Sequence, residues 1–566
     1  MKSGQLFFNL FFSVSLIFLN SCTKASQNRG FPVKFEVGSA LGKFCELAAE
    51  KINQKNPKLE NGKSFYLTCE AKGSGDILED ILSKVQQVKS GALKGDSDTI
   101  ASIIALDGEI YQEQLIYKIN GLFPGQNYIP ATSDSELIAH SPIVFMSEED
   151  LAKGLEKVPD LFSVLVNAKT HNDIDPGSPP LTIHYVQTAP TRSNSGLQTL
   201  IAQFASVSKK RPEDITLADV KNYQAQIAKI QKKVTRYGIS TDSLAKAMVK
   251  NGPFWASIGS VYESSVIEVN SNLQSGQKRY VAIYPKATFS SNMRAFLPNF
   301  PWISADKKAA AEKILTYLKT DEIQQIAVSL GLRPANPGIA LGPKFTSAYG
   351  VKSQPQYDSY HQPKVAVVDS MLKSWDMFAK KPSLVAIVID VSGSMKGEKI
   401  TAVQNSLKYY IEKLHPQDKL ALISFSSKTN APVLVDGTDS GRYRAMQFIS
   451  NLDARGGTKL YDSILYARNW LEKNLRKEGI NAIIVLTDGQ DTESSINLEK
   501  LNSDLQTSGY KSERRISLFT IGYGGIKESD FDPNVLKKIA DSSGGYYSSG
   551  DPSTIVKLMD NLQLEF

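Results

Sequence analysis

Side chains that carry oxygen gather in three short motifs near the end of the chain. The string DVSGSM supplies Asp390, Ser392 and Ser394, the string GGT supplies Thr458, and the string TDG supplies Asp488. Two carboxylates with three hydroxyls are hard oxygen donors, of the kind that Mg²⁺ accepts while it retains several waters. The residue types therefore predict a site for Mg²⁺ or Mn²⁺.

Apolar runs with the character of buried strands surround these motifs. The runs are LVAIVID, KLALISFS, NAIIVLTD and RRISLFTIGYG, with helical patterns between them. Strands that are apolar on both faces belong in a parallel sheet covered by helices. Loops at the carboxyl ends of such strands form the ligand sites of doubly wound folds, so the three motifs are expected at one edge of the sheet.

Residues 383–566 resemble the von Willebrand factor type A domain and its metal-ion-dependent adhesion site. All five positions match: Asp390, Ser392, Ser394, Thr458 and Asp488. The resemblance implies a metal that the hydroxyls bind largely directly and the aspartates often through water. It also implies that an acidic residue of a protein partner completes the metal's coordination. The alternative is a Ser/Gly capping turn beside an unrelated strand end.

Catalysis by the same serines is disfavoured. A serine nucleophile needs a nearby base, normally His, and the histidine of this region is His415, which lies at a predicted helix end before Pro416. The chain also contains no HExxH, GxSxG or P-loop string. We expect a binding protein, and a metal-assisted hydrolase is the enzyme alternative.

Three Ser/Gly turns in the first part of the chain each lie between a strand-like run and a helical pattern. They are Gly38-Ser39, Gly73-Ser74-Gly75 and the string SNSG that ends at Gly196. Helix N-termini expose free N–H groups and a partial positive charge, so three that converge on a cleft would bind an oxyanion. Taken singly, each turn is better explained as a helix cap.

Residues 33–337 resemble the type 2 periplasmic solute-binding proteins. The strings HSPIVFMSEEDLA, APTRSNSGLQTL and SVYESSVIE carry the resemblance, which implies two lobes and a small polar or anionic solute between them. RSNSG is similar to the phosphate loop of phosphate binders, although Leu197 replaces their threonine. Glu263 would accept a hydrogen bond from the solute, or is a solvated surface acid. The expected ligand-binding residues are Ser39, Ser74, Arg192, Ser195, Gly196 and Glu263.

The chain opens with Lys2, an apolar run from Leu6 to Leu19, and the string LNSC. The run is too short to span a membrane and fits a signal peptide. Its end resembles a bacterial lipoprotein signal, which implies a lipid on Cys22 and an extracytoplasmic, membrane-anchored protein. A helical anchor or an ordinarily cleaved signal is the alternative.

Two cysteines remain if Cys22 carries lipid. Cys45 and Cys69 are then an even pair in an oxidising compartment, so they are a candidate disulfide. Two buried free thiols are the alternative.

Composition sets the broad class. The chain has 566 residues, 41% hydrophobic and 22% charged, which is typical of several globular domains rather than of a disordered or multi-pass membrane protein. The net charge of +7 is mild and there is no concentrated basic stripe, so no nucleic-acid partner is expected.

We therefore predict an α/β protein with two domains: a two-lobed periplasmic-binding-protein-like domain, then a doubly wound, Rossmann-like type A domain with a mainly parallel sheet flanked by helices. The expected order is a signal peptide (1–22), a tether (23–32), the solute-binding-like domain (33–337), a linker with a connecting helix (338–382) and the type A domain (383–566). The leading function is capture of a protein partner through the metal. The alternative is a solute receptor of an ABC-type transporter, docked by the type A domain.

Overall fold

The computed structural model describes residues 30–488, 490–509, 515–523 and 532–566. The predicted signal peptide and its Cys22 lie outside these residues, as does most of the predicted tether. Within the described ranges, no helix is both long and apolar enough to cross a membrane.

The strands are numbered in chain order. They are β1 (Phe31–Gly38), β2 (Phe65–Lys72), β3 (Ile103–Leu106), β4 (Glu136–His140), β5 (Ile143–Glu148), β6 (Tyr185–Thr188), β7 (Val234–Gly238), β8 (Ile258–Tyr262), β9 (Tyr280–Ile283), β10 (Ala287–Thr288), β11 (Asn292–Phe296), β12 (Arg333–Pro334), β13 (Asp358–Ser359), β14 (Ser383–Asp390), β15 (Lys419–Phe425), β16 (Val433–Asp436), β17 (Ile480–Thr487), β18 (Ile516–Tyr523) and β19 (Tyr547–Gly550).

The helices are numbered in the same way. They are α1 (Gly42–Gln54), α2 (Ser74–Ser90), α3 (Glu109–Leu122), α4 (Glu149–Leu155), α5 (Leu161–Leu165), α6 (His171–Ile174), α7 (Asn194–Ser208), α8 (Leu217–Gln231), α9 (Thr241–Asn251), α10 (Glu263–Ser271), α11 (Ala305–Leu318), α12 (Asp321–Ser329), α13 (Val365–Ser374), α14 (Glu398–Glu412), α15 (Asp439–Ser450), α16 (Leu460–Lys473), α17 (Leu498–Thr507), α18 (Pro533–Asp541) and α19 (Ile555–Glu565).

The first domain has two lobes, each built on its own sheet. The first lobe has the strand order β12-β4-β11-β3-β1-β2, and the second has β7-β6-β8-β5-β9. The chain passes from the first lobe to the second between β4 and β5, and returns between β10 and β11. The turns after β1, β2, β3, β6, β7 and β8 lie where strands end and helices begin, so they face the cleft between the lobes.

The type A domain is a single sheet with the order β16-β15-β14-β17-β18-β19. Its strands are parallel except for β16, which is antiparallel to β15. Every residue of β14 and of β17 is buried, which explains their unbroken apolar runs. The predicted α/β fold class, with a two-lobed domain followed by a doubly wound domain, is confirmed.

The segment that the sequence indicates as a linker is packed against the second lobe. Strand β13 pairs with β10, and Phe345 and Val351 are buried in the core of that lobe. The connecting helix α13 then continues into a π-helical turn, Trp375–Ala379. The indole N–H of Trp375 donates to Gln231 Oε1 at 3.2 Å, and its ring packs edge-on against Tyr237.

Side chains of the second lobe form hydrogen bonds with the backbone of the type A domain. Arg236 of β7 and the indole of Trp255 both donate to the carbonyl of Gly544, each at 3.1 Å. The Arg236 guanidinium also lies over the ring of Phe519 and 3.6 Å from Glu565. The two domains are therefore in direct contact.

Cys45 of α1 and Cys69 of β2 are bonded to each other in the structure, with their Cα atoms 5.9 Å apart. The bond joins a helix to the edge strand of the first lobe. The loop that it closes is confined to the first lobe.

Candidate metal centre and solute cleft

Asp390 is the last residue of β14, and its carboxylate is fully buried at the carboxyl edge of the sheet. The Ser392 N–H donates to Oδ1 at 2.8 Å, and the Thr487 hydroxyl donates to Oδ2 at 2.6 Å. Burial raises the pKa of Asp390 to about 6, although both of these hydrogen bonds favour the ionised form. The carboxylate is therefore held in one orientation, with its charge poorly solvated.

A chain of hydrogen bonds joins the first motif to the third. The hydroxyls of Ser392 and Ser394 are 3.0 Å apart, and the Ser394 hydroxyl donates to Asp488 Oδ1 at 2.7 Å. Asp488 follows β17, the strand beside β14, so the pairing of the two strands sets this contact. The structure thus brings four of the five predicted metal-binding side chains into one network.

Thr458 is placed beside this network by its loop. The Gly393 N–H donates to the Gly456 carbonyl at 2.9 Å, and Gly456 has a φ of +85°, a conformation that favours glycine. The Thr458 N–H donates to the Thr492 hydroxyl at 2.9 Å, and the Thr492 N–H donates back to the Thr458 carbonyl. The loop is therefore fixed against the first motif on one side and the loop after β17 on the other.

Lys399 is a site residue that the sequence reasoning missed. It lies in the first turn of α14, and its ammonium is 2.5 Å from Asp488 Oδ2. Its position four residues after Met395, at the start of the helix that follows the motif, is the signal that could have found it. Lys399 brings positive charge to the place where a metal ion would bind.

The donor set fits a small divalent cation. The residues that would hold it are Asp390, Ser392, Ser394, Thr458 and Asp488, which offer hydroxyl and carboxylate oxygens only. Across the described ranges, no three His, Cys, Asp or Glu side chains gather around a possible metal position. A site with two carboxylates matches a cation that completes its coordination with hydroxyls, waters and an outside ligand.

In the solute-binding-like domain, an aspartate side chain contacts the Gly38-Ser39 turn, one of the three turns that the sequence assigns to the solute. Asp107, directly after β3, accepts a hydrogen bond from the Ala40 N–H at 3.3 Å and another from the Ser39 hydroxyl. A Cβ at Gly38 would collide with this carboxylate, so glycine permits the close approach. Ser39 therefore binds a side chain of the protein itself.

Ser74 also contacts Asp107. It is fully buried, and its hydroxyl accepts from the Asp107 N–H at 3.0 Å. The next residue, Gly75, donates its N–H to the Arg192 carbonyl at 3.0 Å, and the Tyr111 hydroxyl donates to the Pro190 carbonyl at 2.9 Å. These bonds join the two lobes directly, so the structure shows the cleft closed.

Ser195 and Gly196 are held inside the second lobe. The Ser195 hydroxyl is bonded to the hydroxyls of Thr188, at 2.7 Å, and Ser193, at 2.9 Å. Gly196 lies against the Thr188 carbonyl, where a side chain would not fit. The helix N-terminus of α7 is thus packed on the end of β6.

Arg192 and Glu263 each bind charged groups of the protein. Arg192 forms ion pairs with Asp76 of the first lobe and with Asp560 of α19, the latter at 2.8 Å. Glu263 is fully buried and forms two hydrogen bonds with Arg333, at 2.7 and 2.9 Å. This ion pair bridges the lobes next to the chain crossings.

The sequence of the two-lobed domain shows the family to which the chain belongs. The family profile of bacterial extracellular solute-binding proteins matches residues 48–353, more than half of the chain. The chain belongs to this family. The profile of von Willebrand factor type A domains matches residues 383–549, so this solute-binding family member carries a type A domain after its second lobe. Membership of an extracellular family implies an extracytoplasmic location.

Similarity to curated proteins is partial. The inter-alpha-trypsin inhibitor heavy chain H4 of Bos taurus is 33% identical over 177 residues, which are 30% of this chain and 19% of that protein. The Escherichia coli protein YfbK is 27% identical over 280 residues, 48% of this chain and 45% of that protein. The chain spans less than half the length of these curated relatives.

Solved structures resemble each domain separately. The sulfate-binding protein SubI from Mycobacterium tuberculosis has 15% identity and a TM-score of 0.37, over 61% of this chain and 98% of SubI. A von Willebrand factor type A protein from Catenulispora acidiphila has 23% identity and a TM-score of 0.28, over 32% of this chain and 42% of that one.

Proposed function

We propose that this solute-binding family member is an exported, lipid-anchored binding protein whose type A domain captures a protein partner through a metal ion. The metal binds Asp390, Ser392, Ser394, Thr458 and Asp488, and an acidic residue of the partner completes its coordination. The observation that carries the proposal is the hydrogen-bonded network from Asp390 through the two serines to Asp488. A bound Mg²⁺ or Mn²⁺ would supply a positive charge at the surface of this network.

The charge of the site explains why an acidic partner is favoured. Of the five proposed metal-binding residues, only Asp390 and Asp488 carry negative charge, and Lys399 offsets part of it. A divalent cation there keeps an attraction for a further carboxylate. That attraction is stronger in a partly desolvated interface than in water.

We propose that the type A domain binds without catalysing a reaction. Its histidine, His415, lies between α14 and β15, at the end of α14 opposite the metal centre. There its Nδ1 accepts from the Gln417 N–H at 3.2 Å. Ser392 and Ser394 are instead bonded to each other, and Ser394 is bonded to Asp488, an arrangement suited to metal coordination.

Calorimetry and a peptide array test the metal-dependent capture. The purified full chain is titrated with Mg²⁺ and Mn²⁺, and is then applied to peptides with a single Asp and to matched peptides with Asn. We expect one metal per chain and binding to Asp peptides that EDTA abolishes. Asp390→Asn should remove both, whereas Asp439→Asn, an exposed acid of α15, should change neither.

Two results would count against this proposal. One is the absence of heat on titration with millimolar metal, with and without peptides. The other is peptide capture that persists in EDTA or in Asp390→Asn. Either would leave the type A domain as a scaffold.

The first domain supports a second role, reception of a small solute. Its supporting observation is the two-lobed architecture, in which the turns after β1, β2 and β3 meet the turn after β6 in one cleft. In this second role, the type A domain docks the solute receptor to a transport system of the ABC type. Equilibrium binding of a solute to the full chain, with the lobes opening and closing, is the corresponding test.

A further inference from the structure

The cleft between the lobes contains a carboxylate with an unsatisfied acceptor. Asp107 is 2% exposed, and its Oδ1 atom has no hydrogen-bond partner among the residues that the structure describes. Within the same residues, no Lys or Arg forms an ion pair with it. Burying a carboxylate is costly unless it is paired or protonated. The site therefore lacks a positive donor.

A second unsatisfied acceptor comes from the opposite lobe. Asn194, at the start of α7, donates its Nδ2 to the Asp107 carbonyl at 2.9 Å and to the Tyr262 hydroxyl at 3.1 Å. Its Oδ1 has no partner in the described part of the chain, and the residue is fully buried. Two acceptors, one from each lobe, are thus buried close together without a donor.

The nearby charges add to the negative potential. Asp242, at the start of α9, is half-buried, accepts from the Ser265 hydroxyl at 2.5 Å and repels Asp107. Lys246 is bound by Glu268 at 2.5 Å. Arg192 is bound by Asp76 and Asp560. The cations around the cleft are already paired with acids, whereas Asp107 is not.

We infer that the cleft receives a cationic solute with N–H donors, such as a protonated amine, and not an anion. The inference rests on the proposed solute-receptor role and names its class of ligand. The ammonium would donate to Asp107 Oδ1 and to Asn194 Oδ1. An anion would instead meet the Asp107 carboxylate, which already bonds Ser39 and the Ala40 N–H.

A metal ion fits the same position less well. Asp107 and Asn194 offer only two unsatisfied oxygens, and no group of three metal-ligating side chains occurs in the described ranges. Calcium takes six to eight oxygen ligands, and magnesium requires near-octahedral geometry. An ammonium needs only acceptors for its N–H groups and a compensating charge.

Thermal unfolding of the full chain at pH 8 in EDTA tests this inference. The probes are ethylammonium and 1,4-diaminobutane, with tetramethylammonium as a cation that lacks N–H groups and sulfate as an anion. We expect at least one of the amines to raise Tm by roughly 4–8 °C when saturating. Tetramethylammonium and sulfate should have no effect beyond that of an equal ionic strength of NaCl.

Two variants show whether the effect arises in the cleft. Asp107→Asn retains the size of the side chain and should abolish the rise in Tm with amines. Asp134→Asn, an exposed acid of the first lobe, should keep it. Because Asp107→Asn also removes an unpaired buried charge, its own Tm without probe should be equal to or higher than that of the wild type.

Three outcomes would overturn the inference. Sulfate could stabilise the protein, both amines could fail to stabilise it, or the amines could stabilise Asp107→Asn as much as the wild type. These outcomes are separable from failure of the metal-dependent function, because EDTA is present throughout. A protein that binds Mg²⁺ and acidic peptides but no amine would retain the proposed capture role and lose only the cationic solute.

Discussion

The guanidinium of Arg192 is 2.8 Å from the carboxylate of Asp560, although the two residues belong to different domains. Arg192 follows β6 at the cleft, and Asp560 lies on α19, the last helix of the type A domain. Asp76 of the first lobe also pairs with Arg192, and Lys413 of α14 pairs with Asp560 at 2.9 Å. One arginine therefore joins both lobes to the type A domain.

We predict a measurable coupling energy between these two residues. Both are mostly buried, so removing either charge leaves the other poorly compensated. Arg192→Gln and Asp560→Asn should each reduce the free energy of unfolding by about 1–3 kcal/mol, and the double variant by less than the sum. Chemical denaturation of the four proteins gives the cycle. The exposed pair Lys153 and Asp150 is the control, and additivity at Arg192 and Asp560 would contradict the prediction.

Asp107 should make stability depend on pH. Burial raises its pKa to about 7, and Asp242 adds repulsion. The folded state then holds a proton that the unfolded state releases near pH 4, so the contribution of Asp107 to stability is most favourable below pH 4 and is lost as the pH rises through about 7. The free energy of unfolding of Asp107→Asn, relative to that of the wild type, should increase by about 2–4 kcal/mol between pH 4 and pH 8.

The measurement for Asp107 is urea unfolding at several pH values. The difference between Asp107→Asn and the wild type is compared with that for Asp134→Asn, which should not vary. A difference for Asp107→Asn that is flat across this range would show that its pKa is not raised.

The Cys45–Cys69 bond stays a prediction for the protein in solution. Thiol titration of the unfolded, unreduced chain without Cys22 should find no free thiol. The bond should contribute about 3 kcal/mol in the chain-entropy model, so Cys45→Ser with Cys69→Ser should lower Tm. Reactive thiols at both positions would refute the bond.

Lys399 should compete with the metal ion. Its ammonium is bonded to Asp488, and a cation at the centre would meet its repulsion. Lys399→Met should therefore increase Mg²⁺ affinity about 3–10-fold in calorimetry. Lys396→Met, an exposed lysine that precedes α14, is the control. Weaker binding by Lys399→Met would instead make Lys399 a residue that supports the site.

Cys22 should anchor the protein. Cys22→Ser is expected to move the chain from the membrane fraction to the soluble extracytoplasmic fraction, because one processing step depends on this thiol. Fractionation followed by mass spectrometry of the N-terminus gives the answer. Unchanged fractionation with an intact signal segment would exclude a lipid on Cys22.

The two halves of the sequence differ in what they reveal. The fold class follows from local patterns, since apolar runs and helical periods are encoded by neighbouring residues. The motif around Asp390 is equally local, because a strand end and two hydroxyls suffice to indicate it. The partners of Arg192 and Glu263 are distant in the sequence. The sequence around Arg192 or Glu263 therefore does not show that an oppositely charged side chain compensates it. Asp107 was missed because a single acid after the short run IIAL has no distinctive neighbours.

The helix α13 bears on how the chain can be divided. Val367, Val368, Met371 and Trp375 belong to one buried cluster that continues from Tyr237 in the second lobe to Phe519 in the type A domain. Separating the domains at residue 383, the predicted start of the type A domain, would expose an apolar face on each product. Exposed apolar faces favour aggregation. Transferring either domain into another protein would therefore require a substitute for the apolar surface that its neighbour now covers.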